Sequence, residues 1–156
     1  MRPILRSQLA GAILIFTGIA TAGDVSPFIG IWNLNLARST FNQGAPPKSI
    51  QRVYVPAGNA VEMTVSNVGA DGKPFTVHST FTVDGKDAVA SGVDFFDNIS
   101  VERIDSSHFV FTLKKAGKSV GIVDTMFSVD GKEFTQVVKG ITSGAAATSS
   151  QVFERQ

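Results

Sequence analysis

Cysteine is absent from this 156-residue chain, which excludes disulfides, thiol nucleophiles and cysteine-ligated zinc or iron–sulfur sites. Histidine occurs twice, and tryptophan and tyrosine once each. His78 and His108 show no H-x-H or H-E-x-x-H spacing, so a metal site would need carboxylates from elsewhere in the fold; none is expected. Charged residues are only 17% of the chain, with 14 basic against 13 acidic and a formal net charge of +1. No arginine-rich stripe is present, so no nucleic-acid partner is expected. There is no G-x-S-x-G, and no glycine-rich loop opens a helix, so neither a nucleophile elbow nor a phosphate cradle is expected, and no cofactor. Ser106-Ser107-His108 makes no catalytic pair, because strand neighbours point to opposite faces. What the chain does have is apolar residues, at 43%: too many for a disordered chain and enough for one domain with a real core.

The first 22 residues are set apart. Arg2 and Arg6 precede an almost wholly apolar stretch, Leu9 to Ile19, and Ala20-Thr21-Ala22 follows. A charged start, a short apolar run and an A-x-A site are the parts of a secretory signal peptide. The run is about 11 residues, against roughly 20 for a permanent transmembrane helix. Removing Arg2 and Arg6 from the basic count turns the net charge to an excess of one acid. With no cysteine at the cleavage site, a lipoprotein is excluded. The expectation is residues 1–22 as signal peptide, residues 23–156 as the working domain, and export to the periplasm or beyond. No integral membrane segment is expected in the mature protein.

From Phe28 onward the chain reads as short β runs. Ile29–Leu36 alternates Ile31, Asn33 and Asn35 against Trp32, Leu34 and Leu36. Runs at 50–55, 60–68, 73–83 and 88–91 follow, then 98–104, 108–115, 119–129, 133–141 and 151–155, about ten in all. Asp71-Gly72-Lys73, Asp84-Gly85-Lys86 and Asp130-Gly131-Lys132 read as hairpin turns, with Ala116-Gly117-Lys118 a variant, because Asp and Gly tolerate positive φ. A meander that long leaves two bare edges unless it closes. The expected fold is therefore all-β, an antiparallel up-and-down barrel of about eight to ten strands, with a Greek-key sandwich as the alternative. Ala37–Lys48 reads as a connector and Thr142–Ser150 as a loop. A membrane-spanning barrel is disfavoured, since several runs are shorter than 9–11 residues and no aromatic girdles are visible.

Gly30-Ile31-Trp32 opens the first strand and Arg155 lies in the last. This layout, with GIWNLNLARSTFNQGAPPKS near the start and VFERQ at the end, resembles small exported bacterial lipocalin-like (calycin) barrels. The resemblance implies that Gly30, Trp32 and Arg155 pack together where the barrel closes. A guanidinium over the indole face supports this independently. The lid helices of ten-stranded fatty-acid carriers and the C-terminal helix of true lipocalins have no counterpart here.

Candidate site residues follow from the strand rows. Phe75, Val77, Phe81, Phe109, Phe111 and Leu113 would line an interior. Arg52 and Tyr54 share the Ile50 row, and Arg103 shares the Ile99/Val101 row. An ionisable group on an apolar row is either a buried pair or a ligand anchor, and an inward Arg52 or Arg103 without an internal acid would suit a carboxylate. Asp124 lies with Ile122 and Met126, opposite Gly121, Val123, Thr125 and Phe127, and either row could face inward. Phe95-Phe96, between Asp94 and Asp97, is either a gate at the mouth or an anchor in the core. The expected activity is binding of a small hydrophobic or amphipathic molecule, with Arg52, Tyr54, Phe81, Arg103, Phe111 and Asp124 as candidate contacts. Two alternatives stay open. One is a cofactor-free isomerase, cyclase or hydrolase using an inward Asp124 or Glu102. The other is a fully packed envelope interaction protein.

Overall fold

Ten antiparallel strands close into a barrel in the computed structural model, which describes residues 24–42, 44–140 and 149–156. The expected signal peptide and most of the 142–150 loop lie outside those residues. In chain order the strands are β1 (Gly30–Phe41), β2 (Ser49–Ala57), β3 (Ala60–Val68), β4 (Pro74–Phe81) and β5 (Asp84–Ser91). Next come β6 (Asn98–Arg103), β7 (His108–Lys115), β8 (Lys118–Phe127), β9 (Glu133–Lys139) and β10 (Ser149–Arg155). Each strand pairs with its sequence neighbours, and β1 pairs with β10 to complete the ring. This is the up-and-down meander the turns call for, and closure removes the bare edges.

Turn chemistry accounts for the β3–β4, β7–β8 and β8–β9 reversals. Ala116-Gly117 forms a two-residue hairpin with both residues at positive φ, 48° and 76°, the requirement of a type I′ turn. At the other DGK turns the aspartate side chain accepts from the backbone two residues on, as Asp71 does from Lys73 and Asp130 from Lys132. Asp84-Gly85-Lys86 differs from expectation. It does not reverse the chain but opens β5, in a bulge between Asp84 and Asp87 against β6. The same chemistry serves a bulge as readily as a hairpin, since both take a glycine at positive φ, here Gly85 at 80°. Between β4 and β5 only His78↔Ser91 and Ser79↔Ala90 pair directly, so this is the thinnest seam of the barrel.

The expected connector at Ala37 is also revised, because β1 continues to Phe41 through a bulge between Asn35 and Thr40. The Ser39 hydroxyl fills that bulge, donating to the Asn35 carbonyl at 2.7 Å and accepting from the Val152 amide at 2.9 Å. Five residue steps on β1, from Asn35 to Thr40, face two on β10, from Val152 to Ser150, which breaks the period-two pattern while the pairing continues.

Inside, the barrel divides into two halves along its axis. One half is plugged by aromatic rings. Phe28, just before β1 and fully buried, meets Tyr54, Phe81, Phe109 and Phe127 with ring centroids 4.7–5.6 Å apart. The Trp32 indole N–H donates to the Phe28 carbonyl at 2.8 Å, holding that segment across the barrel end. Such tilted ring pairs each contribute about 0.5–1.5 kcal/mol beyond the area they bury. Arg155, directly opposite Trp32 in the β1–β10 register, lays its guanidinium 4.2 Å from the indole centroid. It also donates to the carbonyls of Gly131 and Ile29. Gly30 has φ of 140°, and a Cβ there would stand 2.6 Å from the Arg155 Nη1. The first and last strands are thus latched through these three residues.

Candidate functional site

The other half of the barrel holds a cavity of about 180 Å³ that opens at its end. Its walls follow from the register, because directly paired residues in antiparallel strands share a face. Inward rows read Ile50, Arg52 and Tyr54 on β2, Met63, Val65 and Asn67 on β3, and Phe134, Gln136 and Val138 on β9. In each row one end lies toward the plug, which the β3 row reaches at Val61 opposite Phe81, and the other at the mouth. The floor is made by Arg52, Met63, Phe111 and Gln136; Val65, Val77, Ile99, Leu113 and Val123 form the wall above. Phe75, Phe95 and Phe96 stand at the mouth.

Three of these residues introduce polarity into an apolar room. Arg52 is half-buried, with its guanidinium 4.9 Å from the Phe153 ring centroid. Its Nε has no hydrogen-bond partner and no Asp or Glu lines the cavity. Gln136 is 1% exposed, and its Nε2 donates to the Thr125 hydroxyl at 3.0 Å, directly across the β8–β9 pair. Its Oε1 has no partner, and neither does the Oδ1 of Asn67 nearer the mouth. Below Arg52, the Tyr54 hydroxyl is buried without a hydrogen bond of good geometry. Burial pushes its pKa up, against a smaller opposing pull from the Arg52 charge.

The sequence-derived candidates are therefore separated. Arg52 and Phe111 line the cavity. Tyr54 and Phe81 do not: both lie one layer deeper, in the aromatic plug, as does Phe109. Arg103 is on the inward row but one step beyond Val101, at the plugged end, where its Nε donates to the Asp105 carbonyl at 3.0 Å. Asp124 is on the outer face beside exposed Ile122 and Met126. It accepts from or pairs with His108 Nε2 at 3.0 Å and lies 3.6 Å from Lys139 Nζ. The row that turns inward on β8 is Val123, Thr125 and Phe127, because the β8–β9 register puts Phe127 opposite the buried Phe134. Glu102, the other candidate acid, is exposed on β6. The Phe95-Phe96 pair divides its roles: Phe96 is buried and Phe95 stands 44% exposed at the rim, rings 5.1 Å apart. Asp97 ties this loop down by accepting from the Ala116 amide at 3.1 Å.

Gln136, Thr125 and Phe28 were not singled out by sequence. Gln136 did carry a signal, a lone amide between Phe134 and Val138 on one row. Phe28 carried none, since it precedes the alternating run. His78 points outward to Thr64, at 3.2 Å from its hydroxyl, far from His108 in register. Among the described residues no group of three His, Asp or Glu is placed to hold a metal, and no helix is long and apolar enough to cross a membrane.

Comparison with protein-family models and with curated proteins finds no match. Among solved structures the chain is similar to a redesigned β-barrel, mFAP1, bound to DFHBI. That likeness has 14% sequence identity and a TM-score of 0.48, over 83% of this chain and 96% of the other.

Proposed function

We propose that this barrel binds a small apolar molecule with an anionic end, held in the open half and oriented by Arg52. The observation that carries the reading is a guanidinium on the floor of an apolar cavity that no carboxylate lines. A charge taken partly out of water needs a partner, and a guanidinium is matched best by a carboxylate or phosphate oxygen pair. The apolar wall would add affinity at about 25 cal/mol per Å² of ligand surface buried. Acid/base catalysis in the cavity would need an inward acid, whereas Asp124 and Glu102 lie outside, so binding is preferred to the enzyme alternative. A packed interaction module would fill the cavity and leave no polar atom on its floor without a partner. We also read the chain as an exported, lipocalin-like protein, on the strength of its first 22 residues and of the Gly30–Trp32–Arg155 latch.

Matched pairs of ligands test the binding reading: benzoate against benzyl alcohol, and octanoate against octanol, titrated calorimetrically into the purified protein. The acid of each pair should bind at least about tenfold more tightly than its neutral partner, the weight of a charge-assisted hydrogen bond. Equal binding of acid and alcohol, or none of either, would remove Arg52 as the anchor.

A further inference from the structure

We infer that the ligand is a single-ring aromatic acid that also carries an O–H or N–H donor, recognised by Arg52 and Gln136 together. This rests on the anion-binding reading above and narrows it. Size is the first ground. The cavity is about 180 Å³, and an apolar cavity of roughly 150 Å³ accommodates benzene. One ring with two small substituents fits. A long acyl chain does not: beyond the first several carbons it would pass Phe75 and Phe95 and leave the walls formed by the described residues.

Shape is the second ground, since the rings of Phe111 on the floor and of Phe75, Phe95 and Phe96 at the mouth offer flat surfaces to a flat guest. The third ground is the direction of the Gln136 amide. Its Nε2 donates to the Thr125 hydroxyl, and its Oε1, buried in a residue that lines the cavity, is left without a donor. Buried acceptors in native interiors are nearly always satisfied, and a leucine side chain at this position would carry none. Arg52 does not supply the missing hydrogen, because neither group has the other as a partner. An anion alone would answer Arg52 and leave Gln136 unanswered. A hydroxy- or amino-substituted aromatic acid answers both.

The test is a titration of the unmodified protein with benzoate, the three hydroxybenzoate and three aminobenzoate isomers, the matching methoxybenzoates, and straight-chain acids from hexanoate to dodecanoate. At least one hydroxy or amino isomer should bind about tenfold more tightly than benzoate and than its methyl ether, and straight-chain affinity should level off by about eight carbons. In a Gln136→Leu variant the affinity ratio of the best hydroxy or amino isomer to benzoate should fall to about one; a melting curve checks that the variant is folded. Should that variant not fold, the ligand-side comparison in the unmodified protein decides alone. Equal affinity for benzoate and all its donor-bearing isomers would overturn the role of Gln136 and leave the anion reading intact. Affinity that climbs with every methylene to dodecanoate, with no aromatic acid bound, would overturn the size limit and again spare the anion reading. If no acid of any kind binds, both readings fall together.

Discussion

Replacing Arg52 by methionine separates a ligand anchor from a structural arginine, because the two roles predict opposite signs for stability. The methionine stem is of similar length and would lie on the same row, between Ile50 and Tyr54 and close to the apolar Met63 and Phe111. What is lost is the contact between the guanidinium and Phe153, 4.9 Å from the ring centroid and worth about 0.5–2 kcal/mol. What is relieved is a charge held partly out of water with no carboxylate lining its cavity. Complete burial of an unpaired ion costs several kcal/mol, and for a half-buried arginine about half of that, roughly 2–3 kcal/mol, is a fair share. The balance favours the variant by about 1 kcal/mol, or roughly 3–5 °C in Tm for a domain of this size.

Binding should move the other way. Without the guanidinium, affinity for benzoate should fall about ten- to hundredfold. Thermal melts with and without benzoate read both quantities at once, since a ligand at one hundred times its Kd raises stability by about 2.7 kcal/mol. The unmodified protein should melt lower than Arg52→Met when empty and gain on addition of benzoate, whereas the variant should gain little. A variant that loses more than about 2 kcal/mol when empty would refute the reasoning. Arg52 would then be a member of the plug, holding Phe153 and Tyr54 in place, and the cavity would have lost its anchor.

The latch and the surface carboxylates make two further predictions. Arg155→Ala removes the indole contact and the backbone hydrogen bonds that join β1, β10 and the β8–β9 turn, and should cost about 1–3 kcal/mol in urea unfolding. Gly30→Ala, with φ of 140° and a clash on Arg155, should cost about as much; the pair should combine sub-additively, and full additivity would show that Gly30 and Arg155 do not act together. Acid is the second case. Asp84 is lowered to about 2, first by Lys86 and then by Thr82. Asp24, Asp97, Asp105, Asp130 and Glu133 are also lowered, their largest causes being hydrogen bonds from Ser26, Asn98, Ser107, Ser128 and Arg38 respectively. Folding depresses these pKa values, so their stabilisation is complete above the unfolded values near 4 and is lost as pH falls through the folded ones. Tm should therefore hold above about pH 5 and drop between about pH 4 and 2; a level profile across that window would contradict the turn hydrogen bonds.

Strand positions were legible where a strand alternates, as β3 and β7 do, and where a turn carries Asp-Gly-Lys or Ala-Gly-Lys. β3 and β7 match their sequence ranges to the residue. Two segments misled, both bulges: Ser39 inserts into β1 without ending it, and Asp84-Gly85-Lys86 starts a strand with residues that elsewhere end one. On β8 both rows are apolar enough to face inward, and only the register with β9, which sets Phe127 against the buried Phe134, decides that Asp124 is outside. The site was harder for a different reason. Alternation tells which face a side chain takes but not how far along the barrel axis it sits. Phe81, Phe109 and Phe111 look alike in sequence, yet two belong to the plug and one to the cavity floor. Depth is set by the register of all ten strands together, which no single run contains.

That division by depth explains how one small barrel can be both stable and receptive. The plugged end collects Phe28, Trp32, Tyr54, Phe81, Phe109, Phe127, Phe134 and Phe153, all buried, and the latch that closes the ring. Stability is concentrated there, so the far half is free to keep groups that a core would reject. The unpartnered side-chain atoms of Arg52, Asn67 and Gln136 all belong to cavity-lining residues, while those of Tyr54 and Ser79 lie on inward rows as well. Each is a local conflict with good packing, and local conflicts retained against an otherwise consistent sequence mark where something other than folding was selected. Had the interior served only to hold the barrel together, leucine and methionine at 52, 67 and 136 would have done so better. The Arg52→Met melt measures how much stability is forgone at the first of those positions.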